Sequence, residues 1–375
     1  MTELVLLAAG GTGGHLFPAE ALAAVLTARG LQVDLATDER AARYAGHFPA
    51  RELHVLPADT VRGRSPVALA RTGLALASGL MRGLALVRRL KPAAVVGFGG
   101  YPTVPPLLAA SLLGVPTVIH EANGVMGRAN RLLARRASAI ATGFPGLAKA
   151  DPALAAKAVW TGNPLRPAAL AAAAVPYDPP LPDGALRVLV FGGSQGARVM
   201  SEVVPQALAA LPAEVRGRIL LTQQAREEDL PQVAAAYDAL GLNAELAPFF
   251  DDLPARMARA HLVVSRSGAG TVAELAAIGR PAILVPLPHA LDQDQAANAR
   301  ALADIGGALA LRQVEFDAAR LAAELTRLAD APETLTRMAE RARSAGVLDA
   351  AERLGDLVQH LAGGGAAATF QGQIP

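Results

Sequence analysis

At 375 residues the chain is long for one hydrophobic core and comfortable for two domains. It contains no cysteine, which excludes disulfides, thiol catalysis and cysteine-ligated metals. The net charge of +2 hides an asymmetry: residues 1–163 carry 17 Lys and Arg against 9 Asp and Glu, whereas the remainder carries 18 against 24. Between Asp59 and Glu121 there is no acidic residue, and the interval holds Arg62, Arg64, Arg71, Arg82, Arg88, Arg89 and Lys91. Such a bias suits an anionic partner, either phosphate or a membrane surface. Nucleic acid is not expected, because aromatics are only 4% of the chain and none interleaves with these arginines. The N-terminus lacks a basic signal-peptide region and no run reaches 18 apolar residues, so a cytoplasmic protein without a transmembrane helix is expected.

In chain order, the first unit opens with a strand at 4–8, the turn Gly10-Gly11-Thr12-Gly13-Gly14-His15 and an amphipathic helix, with Pro18 at its start. Glycines there let backbone approach a ligand and present N–H groups at a helix start. His15 has the pKa range of a general base, against the alternative of a structural histidine. Strands follow at 32–36, 52–56, 93–97, 117–120 and 139–142, with helix across 67–90. The strand at 93–97 ends in a second turn, Gly97-Phe98-Gly99-Gly100-Tyr101. The strand at 117–120 ends in His120-Glu121-Ala122-Asn123-Gly124. Polar groups crowded at the carboxyl ends of parallel strands line a crevice. Glu121 or His120 can act in catalysis there, and Asn123 can bind a sugar hydroxyl or cap a helix.

Residues 161–183 contain six prolines and read as an interdomain linker. The second unit repeats the device of the first. A strand at 187–191 leads into Gly192-Gly193-Ser194-Gln195-Gly196, a turn that can cradle a diphosphate. Further strands are expected at 218–221, 244–246, 262–265, 282–285 and 308–309. The strand at 262–265 runs into Arg266-Ser267-Gly268-Ala269-Gly270-Thr271, with Glu274 one helical turn on. Glu274 can accept two ribose hydroxyls, or close a capping box with Thr271. Asp292, Gln295 and Asn298 fall three apart on one helical face, which suits hexose hydroxyls or a solvated surface. Helices at about 316–328 and 332–361 close the fold, and the tail from 363 lacks periodicity and is expected to be disordered. No ligand-spaced metal cluster is visible, so no metal and no required cofactor is expected; Mg²⁺ carried with a pyrophosphate is left open.

Taken together, the ordered motifs GGTGGHLFP, GFGGYPT, HEANG, TGNPLR, FGGSQGAR, FFDDLP, SRSGAGTVAEL and HALDQDQAANA resemble the MurG family of glycosyltransferases. The resemblance spans nearly all of the chain before the tail. It implies an α/β chain of GT-B type, two Rossmann-like domains with parallel sheets facing across a cleft. The domains would be 1–163 on the acceptor side and 164–344 on the donor side, with a helix at about 345–362 as a candidate to pack back on the first. It further implies inverting transfer of N-acetylglucosamine from UDP-GlcNAc to the 4-OH of lipid-linked muramyl-pentapeptide (lipid I), giving lipid II for peptidoglycan, at the cytoplasmic face of the membrane. An anionic membrane surface and other cell-wall synthesis proteins are the implied partners. By position, Phe249, Phe250 and Leu253 would flank uracil and Glu274 would hold ribose. Ser194, Ala269, Gly270 and Thr271 would meet the diphosphate with Arg166 nearby, and Gln295 and Asn298 would bind the sugar. Thr12, Gly13, Gly14, Tyr101, Asn123 and Asn130 would face the acceptor, with His15 or Glu121 as base. Departures are Ala122, where Gln is common, Gly270 in place of a larger apolar residue, and one extra residue in 289–299. Competing readings are a glycolipid or natural-product transferase, a UDP-sugar epimerase, a non-catalytic nucleotide sensor and an NAD-dependent oxidoreductase. The last needs a strict GxGxxG, and Leu16 stands where its third glycine belongs.

Overall fold

A computed structural model describes residues 3–10, 13–39, 48–56, 66–147, 151–193, 196–288 and 294–371, with backbone alone over 66–76. The chain divides into two units, Met1–Arg166 with Leu348–Pro375, and Pro167–Val347.

The first unit is built on seven strands: β1 (Leu4–Ala8), β2 (Gln32–Thr37), β3 (Leu53–Val55), β4 (Ala94–Gly97), β5 (Thr117–Glu121), β6 (Ala139–Thr142) and β7 (Ala158–Trp160). Their order is β3-β2-β1-β4-β5-β6-β7, and every neighbouring pair is parallel. β1 is buried throughout, as a strand covered on both faces must be. One face is covered by helix Gly13–Ala28 together with helix Ala350–Ala362, through Leu22 and Leu26 and through Leu354, Leu357, Val358 and Leu361. The other face packs Leu6, Val95, Ile119 and Ile140 against Leu86 and Val87 of helix Pro66–Leu90 and Leu107 of helix Val104–Leu112.

The second unit has six parallel strands: β8 (Leu186–Phe191), β9 (Ile219–Gln224), β10 (Ala244–Ala247), β11 (Leu262–Ser265), β12 (Ala282–Leu284) and β13 (Ala308–Ala310). Their order is β10-β9-β8-β11-β12-β13. Both sheets therefore reverse direction of growth once, between β1 and β4 and between β8 and β11. Crossover helices leave these points on opposite faces, so a crevice opens beyond the carboxyl ends of the strands.

Several details depart from the sequence expectations. β7 was not anticipated. The helix expected over 332–361 is two, Pro332–Ser344 and Ala350–Ala362, and the chain returns to the first unit in the break. Helix Gly13–Ala28 begins inside the glycine turn, so Pro18 lies in its second turn and not at its start. Most of the proline-rich segment is no free linker: helix Pro167–Ala173 packs on the second unit. Fully buried Arg280 donates to the carbonyls of Val175 and Pro176, and the Tyr177 hydroxyl donates to the His261 carbonyl at 3.0 Å. The tail is structured to residue 371, with a 3-10 turn at Ala367–Thr369 and Phe370 against the first core and the His360 ring.

Candidate active site

In the first unit, β1 and β4 pair with Ala8 opposite Gly97, which brings the two glycine turns side by side. The half-buried His15 ring lies on the Gly99–Gly100 backbone. A Cβ at Gly99 would sit 3.3 Å from His15 Cε1, and both glycines have positive φ (89° and 77°). A side chain at either would be strained, and at Gly99 it would also crowd the ring. Burial pushes the His15 pKa below its ordinary value, opposed by the Glu121 charge and the Phe98 backbone.

Glu121 ends β5 and is 2% exposed. Its Oε1 accepts from Asn123 N (3.0 Å) and Asn123 Nδ2 (3.2 Å). Its Oε2 accepts from Gly127 N (2.9 Å) and Asn130 Nδ2 (2.8 Å). A carboxylate has about four acceptor sites, so this one is filled by the loop it organises. Asn130, also buried, donates to the His120 carbonyl at 3.1 Å. His120 is buried against Phe98, its Nε2 3.3 Å from the Gly162 carbonyl, and burial pushes its pKa down to about 4. It is neutral near pH 7. Asn123 does not cap the next helix, because Gly127 holds the N-cap position of Arg128–Ala134.

In the second unit, Gly192 leaves no room for a side chain: a Cβ there would lie 2.1 Å from Ala197 N. The turn is tied down by Gln224, which accepts from Gly192 N at 3.0 Å and donates to the Gly193 carbonyl at 3.1 Å. The turn after β11 leads into helix Ala269–Ile278, with Gly268 at the N-cap. Thr271 is thus the third helical residue, and the capping box of Thr271 with Glu274 is not formed. Glu274 is 8% exposed. The first-turn N–H groups of this helix have no partner within the helix, an arrangement that can receive an anion.

The models for the glycosyltransferase family 28 N-terminal and C-terminal domains match residues 5–142 and 187–354. A UDP-N-acetylglucosamine--N-acetylmuramyl-(pentapeptide) pyrophosphoryl-undecaprenol N-acetylglucosamine transferase of Rhodopseudomonas palustris (strain BisA53) is 64% identical over 360 residues, 96% of each chain. An enzyme of the same name from Nitrobacter hamburgensis is 63% identical, covering 96% of this chain and 98% of its own. This chain belongs to the MurG family of glycosyltransferases. The crystal structure of Acinetobacter baumannii MurG matches at 31% identity and a TM-score of 0.78, covering 96% of this chain and 99% of that one.

Against this family framework the expected site residues fall into three groups. His15, Gly13, Gly14, Tyr101, Glu121, Asn123 and Asn130 lie at or just beyond the carboxyl ends of β1, β4 and β5, in the connecting segments and the helix starts they lead into. Ala269, Gly270, Thr271 and Glu274 share the start of one helix in the second unit. Thr12, Ser194 and Asp292 lie outside the described residues.

The third group departs from expectation. Phe250 is 7% exposed beneath the Arg256 guanidinium, 4.2 Å from the ring centroid, so it is a pinned core residue. Phe249 is 57% exposed and Leu253 half-buried, which leaves them as the faces open to a base. Asn298 is fully buried and its Nδ2 donates to the Ser267 carbonyl at 3.1 Å. Gln295 Oε1 accepts from Leu287 N at 3.1 Å. Asn298 thus holds the turn after β11 and Gln295 the segment after β12, so the pair is neither a solvated stripe nor a fully free sugar-facing one. Arg166 clusters with the first unit, its guanidinium 4.8 Å from the Phe17 ring centroid.

Sequence reasoning also missed Arg266. This buried side chain donates to the Val285 and Pro286 carbonyls (3.1 Å each) and to Gln313 Oε1 (2.6 Å), and burial pushes its pKa down. A second oversight is a charge cluster. Asp34, Glu52 and His54 bring ligand-type atoms within 4.8 Å of one another. Burial pushes the Asp34 carboxyl up, but hydrogen bonds from Arg51 and His54 outweigh it and hold the pKa below its ordinary value. Arg51 grips both Asp34 oxygens at 2.9 Å, so a guanidinium already supplies the charge that a cation would bring.

Proposed function

We propose that this enzyme transfers N-acetylglucosamine from UDP-GlcNAc to the 4-OH of lipid-linked N-acetylmuramyl-pentapeptide, with inversion at the anomeric carbon. The observation that carries the reading is 64% identity to a relative of that name over 96% of both chains. His15 takes the proton of the acceptor hydroxyl as the oxygen attacks the anomeric carbon and the bond to UDP breaks. A neutral imidazole is required for this, and burial favours that form. Glu121 is the positioning group. Its carboxylate holds the 123–127 loop and the first turn of helix Arg128–Ala134 in place, and its charge favours the imidazolium that forms on His15.

The departing UDP is met by the N–H groups that open helices Arg198–Ala210 and Ala269–Ile278, with Ser194, Ala269, Gly270 and Thr271 at the diphosphate. Glu274 accepts the ribose hydroxyls, Phe249 and Leu253 flank the base, and Arg166 adds positive charge. Gln295 and Asn298 hold the sugar-side loop. Gly13, Gly14, Tyr101 and Asn123 face the acceptor, with buried Asn130 behind them holding Glu121 and the His120 carbonyl. No step of this sequence draws on a protein-bound metal; Mg²⁺ enters only as a companion of the pyrophosphates.

The acceptor's lipid places the enzyme at the cytoplasmic membrane surface, with other cell-wall synthesis proteins as its company. Among the described residues no helix is long and apolar enough to cross a membrane. Met81 and Leu132 are 66% and 64% exposed, and Arg82, Arg88, Arg89, Arg131, Arg135 and Arg136 are exposed in the same unit. Such a mixture suits anionic headgroups. Leu80, Leu84 and Leu86 pack into the core, and the side chains of Leu69, Leu74 and Leu76 lie outside the described set. The deciding experiment measures UDP release from UDP-GlcNAc with a short-chain analogue of the lipid acceptor. Release that depends on the analogue is expected, and turnover of UDP-GlcNAc without it would point to an epimerase or hydrolase.

A further inference from the structure

β9 ends in two consecutive buried glutamines, an unusual pair at the end of a parallel strand. They do different things. Gln223 Oε1 accepts from the Tyr237 hydroxyl, and its Nε2 lies 3.5 Å from the Met200 carbonyl, so its amide serves the core. Gln224 is directed at three backbone groups in two loops. Its Oε1 accepts from Gly192 N at 3.0 Å, and its Nε2 donates to the Gly193 and Pro248 carbonyls, each at 3.1 Å. β9 lies between β8 and β10, and Gln224 pairs with Ala247, so this one head group joins the loop ends of three neighbouring strands.

The two loops it joins are the glycine turn of 192–197 and the start of the segment that carries Phe249. Holding the Gly193 carbonyl against a buried amide turns that oxygen away from any anion bound at the turn. Holding the Pro248 carbonyl fixes where the exposed Phe249 ring begins. The job requires one acceptor and two donors on a single head group, which only a primary amide offers. A carboxylate or a thioether of the same length fails it.

We propose that Gln224 is a positioning residue that fixes the spacing between the base-side loop and the diphosphate turn for a nucleoside diphosphate. The inference rests on the reading that the second unit holds a UDP-sugar. It makes the two halves of the site report on each other: occupation of the base side steadies the diphosphate turn through this amide.

The test uses the full-length enzyme and hydrogen exchange at the 192–197 and 248–253 backbones, with uridine, inorganic pyrophosphate and UDP as separate probes. In the wild type, saturating uridine, which has no phosphate, protects 248–253 and also slows exchange at 192–197. In Gln224→Met uridine protects 248–253 alone, the Kd for UDP rises about tenfold, and kcat at saturating donor stays within about twofold. Gln224→Glu, which keeps the acceptor and loses both donors, shows the same split, whereas Gln223→Met leaves the UDP Kd unchanged. Uridine protection confined to 248–253 in the wild type overturns the coupling while the donor reading stands. An unchanged UDP Kd in a folded Gln224→Met variant does the same. UDP that protects neither segment in the wild type overturns the donor reading and this proposal together. The wild-type arm decides the matter even where a variant fails to fold.

Discussion

Glu121→Gln separates the two candidates for the base, because the structure assigns it a different consequence under each. The carboxylate accepts four hydrogen bonds and is 2% exposed. An amide of the same shape keeps one oxygen, so two of the four donors face an NH₂ group. Losing two hydrogen bonds to a charged acceptor at roughly 1.5–3 kcal/mol each gives about 3–6 kcal/mol. The 123–127 loop is half-exposed and can relax toward water, so the lower end, about 3 kcal/mol, is expected for the first unit. Removing the charge also removes a contribution that raises the His15 pKa. The acid limb of the kcat profile, set by protonation of His15, then moves to lower pH while activity on the neutral side persists. The assay is a pH–rate profile for UDP release from pH 5 to pH 9, with thermal unfolding in parallel. A loss of more than about 10³ in kcat at every pH, in a protein that remains folded, would make Glu121 the base and refute the reasoning.

His15→Ala should lower kcat by about 10²–10⁴ and leave UDP affinity nearly unchanged by calorimetry, since the donor is assigned to the other unit. Phe250→Ala should destabilise the second unit by about 3–5 kcal/mol, whereas Phe249→Ala should leave the melting temperature alone and weaken uridine binding; the reverse pattern would exchange their roles. Burial pushes His120 in the first unit and His261 in the second down to about 4. Between pH 6.5 and 4 the unfolded chain binds protons that the native protein does not, so stability falls as pH drops through that window. For His120 the loss is about 2 kcal/mol by pH 5, and urea midpoints equal at pH 7 and pH 5 would contradict it. Vesicles of anionic lipid should bind the enzyme in a salt-sensitive way. Replacing Arg82, Arg88 and Arg89 with Ser should release it without loss of turnover on a soluble acceptor analogue.

The parallel strands were legible because burial on both faces leaves them as short apolar runs ended by glycine turns; β1, β4 and β11 are of that kind. β7 was not, because Ala158–Trp160 offers only three residues, too few to stand out as an apolar run. The turns that carry the candidate site were legible for the same reason that they bind ligands: glycine at positive φ, or where a Cβ collides, cannot be replaced silently. What stayed hidden was the choice among equal side chains. Nothing in FF says that Phe250 is the ring pinned under Arg256, since the arginine arrives six residues later from a helix. Nothing in QQ says which glutamine serves the core and which the loops, since the partners lie 14 to 32 residues away. The polar stripe of Gln295 and Asn298 follows helical spacing correctly, yet its burial depends on the turn after β11 packing over it.

The core of the first unit also has a bearing on how the chain is made. Leu354, Leu357, Val358 and Leu361 belong to it, and Arg29 is held by Asp356 and Gln359. During synthesis the first 166 residues leave the ribosome long before those partners exist, and the second unit lies wholly between them. The unit that starts first is therefore sealed last. Until the final helix docks, an apolar face of helix Gly13–Ala28 stays open, and this is when the nascent enzyme is most exposed to chaperones and proteases. A stop codon that removes only the last 30 residues would spare every residue assigned to the donor and still leave the acceptor half without its cover.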